Sequence, residues 1–209
     1  EIYPEYQKQL KAQNSVDFGD LLYLTVKMLE ENEDIKKKYQ EKYKYLLIDE
    51  YQDTNNAQYR FAKLLSESHQ NICVVGDDDQ GIYAWRGADI KNIQSFEDDF
   101  DNVTVVKLEQ NYRSTKNVIS AAVSVIQQNN QRVDKNLWTD NTQGENITIY
   151  QARDQDDEAQ YVVEKIGHLK DMKVPLSNIA ILYRTNYQSR AIEEALLSEG
   201  ISYKLVGGF

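Results

Sequence analysis

The residues best equipped for chemistry sit in two short strings. In the first, Leu46 to Asn55 (LLIDEYQDTN), an apolar run stops abruptly at the adjacent carboxylates Asp49 and Glu50. A buried strand that delivers two carboxylates at its C-terminal end suits hydrolysis of a nucleoside triphosphate. Asp49 can hold Mg²⁺, directly or through water, while Glu50 acts as the base that polarises the attacking water. The bland alternative is two solvated acids at a strand end. The second string is Val74 to Ala88 (VVGDDDQGIYAWRGA), where Gly76, Gly81 and Gly87 permit tight turns around a dense set of polar and aromatic side chains. A loop of this kind at the C-terminal edge of a parallel sheet is where ligands bind. Asp77, Asp78 and Asp79 also admit a nuclease-like metal cluster, although adjacent residues on one loop rarely converge on one ion.

Strands and helices must alternate to position these strings. Phe18, Leu21, Leu22, Val26 and Leu29 recur at helical spacing between Asp17 and Glu31, and a charged helix is predicted over Glu33 to Lys42. Lys44 to Ile48 reads as a strand, and Asn55 or Asn56 caps a helix with the face Ala57, Phe61, Leu64 and Leu65. Further strands are predicted at Ile72 to Val75, Val103 to Val106, Ile147 to Tyr150 and Ile179 to Tyr183. Further helices are a stretch carrying Val118, Ile119, Ala122, Val125 and Ile126 with Ser114 as its N-cap, then Asp156 to Leu169, and then Gln188 to Ser198 with Ile192, Ala195 and Leu196. The polar stretch Gln127 to Gly144 reads as a long loop with at most a helical turn at Leu137-Trp138. This alternation implies an α/β fold built on a parallel sheet.

The bulk numbers bound the reading. The chain has 209 residues, room for one large domain or two small ones, and 41% hydrophobic residues with no run near the roughly 20 that a membrane-spanning helix needs. A membrane role is not expected. The single cysteine, Cys73, is expected to be a buried small hydrophobe; one cysteine excludes a disulfide framework and a Cys-based metal site, in keeping with a reducing, cytoplasmic setting. The net charge of −10 argues against nucleic acid when taken alone, yet a site that holds a metal with carboxylates is itself acidic. Both ends, Glu1-Ile2-Tyr3-Pro4 and the turn Gly207-Gly208, read as cut edges of something larger.

Taken together, LLIDEYQDTN and VVGDDDQGIYAWRGA resemble the Walker B motif and the following motif of the UvrD/PcrA/Rep helicases. The resemblance extends to LEQNYRST (Leu108 to Thr115), to AILYRTNYQSR (Ala180 to Arg190), and over nearly the whole chain from Val16. It implies parts of two RecA-like motor domains of the P-loop NTPase type. Residues 1–110 would belong to the first, with helices of an inserted subdomain at about 1–30, and residues 111–209 to the second. It implies ATP and Mg²⁺ as cofactors, with Gln80 as sensor of the terminal phosphate, Tyr112 stacking on adenine, and Arg113 reaching the terminal phosphate across the interdomain cleft. It also implies contacts to single-stranded DNA from Tyr83, Trp85 and Arg86, and from Arg184, Asn186 and Arg190. Core packing for Tyr83 and Trp85, a surface role for Arg113, and helix capping for the last group are the structural alternatives. Tyr187 departs from the small residue that the family pattern has there.

Implied partners are single-stranded DNA and single/double-strand junctions, with repair or replication proteins possible. Two other readings compete: the motor of a helicase-nuclease repair complex, and a non-catalytic single-strand binding module. No G-x-x-x-x-G-K-[ST] occurs, because none of the nine glycines is followed by lysine. Hydrolysis by these 209 residues alone is therefore expected to be negligible.

Overall fold

A computed structural model of the protein describes residues 2–129 and 135–206; the turn expected at Gly207-Gly208 lies outside them. The chain forms two compact units, Glu1–Glu145 and Asn146–Phe209.

In the first unit the order is α1 (Ile2–Ala12), α2 (Phe18–Glu31), α3 (Glu33–Lys42), β1 (Leu46–Ile48), α4 (Asn56–Ser66), β2 (Ile72–Val74), α5 (Lys91–Gln94), α6 (Phe96–Asp99) and α7 (Lys116–Ile126). The strands pair in parallel with Leu46 opposite Ile72 and Ile48 opposite Val74. Backbone bonds prolong the ladder, with Val75 N donating to Ile48 O at 2.8 Å and Tyr51 N to Val75 O at 3.0 Å. Parallel strands need a crossover, and α4 supplies it. Asn55 starts α4 with a capping box: its carboxamide oxygen accepts from Gln58 N while Gln58 Oε1 accepts from Asn55 N, both at 2.9 Å. The same device, built from Asp17 and Asp20, starts α2. α2 packs on α4, where Val26, Leu29, Ala62 and Leu65 are buried, and α3 is tied down by Gln40 Nε2 donating to Leu64 O at 2.7 Å.

In the second unit α8 (Gln155–Asp171) packs on α9 (Ser189–Ser198). Its core is Ala159, Val163, Ile166, Ile192, Leu196 and Ile201. α8 starts at Asp154, whose carboxylate accepts from the backbone N of Asp156 and Asp157.

Several expectations are corrected. Val103 to Val106, Ile147 to Tyr150 and Ile179 to Tyr183 join no ladder among the described residues, and Val106, Ile149 and Leu182 are exposed. A strand exists only with a partner, whereas apolar patterning reports a tendency to be buried and says nothing of pairing. Cys73 is exposed, because it lies opposite Leu47 on the uncovered face of the two-stranded sheet, where Leu47 is 74% exposed. Phe18, Leu21, Val118 and Val125 are likewise exposed, so the apolar stripes of α2 and α7 are covered only in part. Thr115, not Ser114, is the N-cap of α7; Ser114 N instead donates to Asn111 Oδ1 at 2.7 Å. Trp138 makes no helical turn and bridges in parallel to Gln110.

Leu196 is nearly inaccessible between α8 and α9. Leu196→Ala is predicted to cost about 2–5 kcal/mol, the range for a leucine deleted from a packed core, measured as a lowered denaturant midpoint at unchanged slope.

Candidate functional site

Because β1 and β2 run in parallel, both chemically loaded strings leave the sheet at the same edge. Asp49 and Glu50 follow β1 directly and are exposed. The chain turns sharply there: Glu50 has φ 52° and ψ 43°, the left-handed region that a residue with a side chain seldom occupies. The Asp49 carboxylate accepts from Glu50 N at 2.9 Å, supporting the turn. Asp49 remains a hard oxygen donor at the sheet edge, a chemistry that fits Mg²⁺.

Gln52 is the hub that sequence reading missed. Its side chain is 1% exposed; Nε2 donates to Glu50 Oε2 at 2.7 Å, and Oε1 accepts from Asp77 N at 3.0 Å. One buried amide thus fixes the proposed base on the first string and the start of the second. Gly76 makes room for it, since a Cβ there would lie 2.6 Å from Gln52 Oε1 and 2.7 Å from Ile93 Cδ1. Asp77 then holds Gln80, whose Nε2 donates to Asp77 Oδ2 at 2.7 Å. A second staple lies behind: Asn92, buried, donates from Nδ2 to Thr54 O at 3.0 Å, and Thr54 Oγ1 donates to Tyr51 O at 2.7 Å. The Tyr51 ring is buried edge-on against Phe96, and burial pushes its hydroxyl pKa up to about 12.

The three aspartates do converge, with one carboxylate oxygen from each within 4.8 Å of the others. The cation among them is Lys135, whose Nζ bonds to Asp77 and Asp78 and lies 3.3 Å from Asp79. Burial pushes the Asp77 carboxyl up, but the bonds from Lys135 and Gln80 outweigh this and hold it below the usual carboxylate range. Burial pulls the Lys135 ammonium down, and its bonds to Asp77 and Asp78 more than reverse that. An internal ammonium therefore accounts for the cluster without a nuclease-like metal.

Tyr83 and Trp85 are not core residues. Trp85 is 65% exposed, and the Arg86 guanidinium lies 4.6 Å from its ring centre and 5.4 Å from that of Tyr83. The three form an exposed aromatic and cationic surface suited to stacked bases and phosphate. Tyr112 is exposed and donates its hydroxyl to Gln110 Oε1 at 2.7 Å; Arg113 is exposed, with its backbone N bonded to Asn111 Oδ1 at 3.0 Å.

In the second unit Gln188 Oε1 accepts from Arg184 N and Thr185 N, so Thr185 and Gln188 do the capping. The side chains of Arg184 and Asn186 stay exposed. Arg190 differs, being paired with Glu194 at 2.9 Å one turn along α9; an exposed pair of this kind is screened by water and yields easily to another anion.

Two sequence models match the chain: the UvrD/REP helicase N-terminal domain over residues 1–101, and the UvrD-like helicase C-terminal domain over residues 106–209. The chain is 52% identical over 209 residues to the ATP-dependent DNA helicase PcrA of Bacillus subtilis (strain 168), covering all of this chain and 28% of that protein. It is 49% identical over 209 residues to the protein of the same name from Leuconostoc citreum, again all of this chain and 28% of the relative. Against DNA helicase II of Rickettsia typhi (strain ATCC VR-144 / Wilmington) it is 50% identical over 208 residues, 99% of this chain and 32% of the relative. The chain thus spans roughly a third or less of the length of the relatives it matches.

Gly76→Ala tests the hub. The added methyl must displace Gln52 or Ile93, and a loss of about 1–3 kcal/mol in unfolding free energy is expected, as for overpacking elsewhere.

Proposed function

Because this chain belongs to the UvrD/Rep helicase family, we propose that it is part of a DNA helicase and single-stranded DNA translocase that couples Mg·ATP hydrolysis to strand separation in DNA repair or replication. Residues 1–110 belong to the first RecA-like motor domain and residues 111–209 to the second. The observation that carries this reading is the tie from Glu50 through Gln52 to the Gln80 loop, which also presents Tyr83 and Trp85. A nucleotide-side base on one string and a strand-side aromatic surface on the other are thereby tied through one buried side chain, as a motor requires.

In this reading Asp49 holds the metal, and Glu50 polarises the water that attacks the terminal phosphate. Mg²⁺, when bound, neutralises charge on the phosphate oxygens. Gln80 donates its amide to the terminal phosphate after exchanging its bond to Asp77. Tyr112 offers an exposed ring face to adenine. Arg113, permanently charged and forked, stabilises the charge that develops on the transferred group. Tyr83 and Trp85 stack on bases, which is tolerant of sequence and lets a translocase step along any strand. Arg86, Arg184, Asn186 and Arg190 contact the DNA, and single/double-strand junctions are the substrate class. No helix among the described residues is long and apolar enough to cross a membrane, and the reading goes with a cytoplasmic protein working beside repair or replication partners.

Glu50→Gln in the full-length protein is predicted to lower DNA-stimulated ATPase by about 100-fold or more while leaving ATP binding intact, as expected for loss of a general base. A full-length protein without ATPase, or one indifferent to this substitution, would sink the motor reading in favour of a binding module. Trp85→Ala is predicted to weaken single-strand binding by about 1–3 kcal/mol, read by fluorescence anisotropy of a labelled oligonucleotide. The 209 residues alone, with no phosphate-binding lysine loop in their sequence, are expected to show no measurable turnover.

A further inference from the structure

Lys135 lies in the polar stretch to which neither the sequence patterning nor the functional reading gives a task. It is remote in sequence from the Gln80 loop, yet its side chain is only 18% exposed and its Nζ engages Asp77, Asp78 and Asp79 together. Three neighbouring carboxylates repel one another strongly in a partly buried setting, and a single ammonium at their centre removes that repulsion. One of the carboxylates it engages, Asp77, is the one that accepts from Gln80 Nε2 through Oδ2, while Lys135 binds Oδ1. Asp77 Oδ1 also accepts from Asp79 N at 3.1 Å, starting the tight turn Asp78–Gln80.

The backbone next to Lys135 is equally well held. Asn136 N donates to Glu109 Oε1 at 2.8 Å, Trp138 N donates to Glu109 O at 3.1 Å, and Asn111 N donates to Trp138 O at 2.7 Å. Asn111 in turn receives the backbone N of Arg113 on its side-chain oxygen. Lys135 therefore supplies the cation in a continuous path from the Gln80 loop to the segment that carries Tyr112 and Arg113.

We propose that Lys135 is a positioning residue for hydrolysis: it fixes the Asp77 carboxylate that aims Gln80, and it ties the Gln80 loop to the Tyr112-Arg113 segment. The proposal rests on the motor reading above. Its effect belongs in the turnover step, because Lys135 itself touches neither the candidate base nor the stacking surface.

The test is steady-state DNA-stimulated ATPase of the full-length protein, with kcat and KM for ATP determined separately for Lys135→Gln, Lys135→Arg, Gln80→Ala and the double variant Lys135→Gln/Gln80→Ala. Lys135→Gln is expected to lower kcat about tenfold through misplacement of Gln80, with KM for ATP and affinity for single-stranded DNA within about twofold of the parent. Lys135→Arg, which keeps the charge, should recover most of the loss. The double variant should be no slower than Gln80→Ala alone, because both changes act through one group. A Lys135→Gln protein with parental kcat overturns the proposal, as does a double variant in which the two losses multiply. If Lys135→Gln does not fold, judged by its thermal transition, Asp77→Asn removes the same ion pair while leaving an oxygen for Gln80; a parental kcat there is equally fatal. A parent protein without ATPase overturns the motor reading and the proposal together, whereas an active parent indifferent to these changes overturns the proposal alone.

Discussion

The site depends on one buried amide. Gln52 has a donor and an acceptor in fixed relation, and it spends one on Glu50 and the other on the backbone of Asp77. Parallel pairing of β1 with β2 brings the two strings to a common edge, but pairing alone leaves their side chains free to wander. A buried amide cannot be left unpaired without a cost of about 1–3 kcal/mol, so Gln52 holds both partners at once or is itself destabilised. Gly76 follows from the same constraint, because any side chain at that point would occupy the space of the amide. So does the left-handed backbone at Glu50, which turns the chain back toward Gln52 at a local cost of about 1–2 kcal/mol that the surrounding bonds offset.

Charge is distributed in a way that the overall value of −10 conceals. Arg60, Arg153 and Arg190 form ion pairs with Glu30, Asp157 and Glu194. Among the described residues Arg86, Arg113 and Arg184 form none, and these are arginines assigned to DNA or to the terminal phosphate. Arg86 is held instead by aromatic faces, which orient a guanidinium without neutralising it. Three of the four arginines proposed to meet DNA or phosphate on these strings are thus kept free of carboxylates, Arg190 with its Glu194 partner being the exception, while Lys63, Lys36 and Lys135 are tied to Asp99, to Glu33 and Glu67, and to the aspartate cluster. An acidic protein can present a locally cationic surface in this way.

Features governed by local chemistry were legible in the sequence. The N-cap at Asn55, the bounds of α3, the strand that stops just before Asp49 and the apolar face Ile192, Ala195 and Leu196 of α9 all follow from side-chain spacing within a few residues. Contacts between distant segments were not legible. Gln52 reads as one polar residue within LLIDEYQDTN, without its tie to the second string, and Lys135 as one of many charges in a polar stretch, because nothing in periodicity records a partner dozens of positions away. The same limit explains Cys73 and Leu47: an apolar strand reads as covered on both faces, and which face is covered depends on tertiary neighbours.

The loop from Gly76 to Gly87 has to satisfy two opposed demands. At its start the proposed function needs rigidity, since Gln80 would serve hydrolysis only if its amide is aimed within a fraction of an ångström. At its end it must be exposed, since Trp85 and Tyr83 can stack on a base only if their faces are bare. The chain separates the two over a few residues: Gln52, Lys135 and Asp77 clamp the first part, while Gly87, at φ 88°, allows the backbone to turn away immediately after Arg86. Asn92 and Thr54 then return the chain to the sheet and keep that exposed end from drifting. Under the proposed motor reading, a shift of Gln80 has a short, braced path to the aromatic surface, and the covalent link between them spans only the residues from Gly81 to Tyr83.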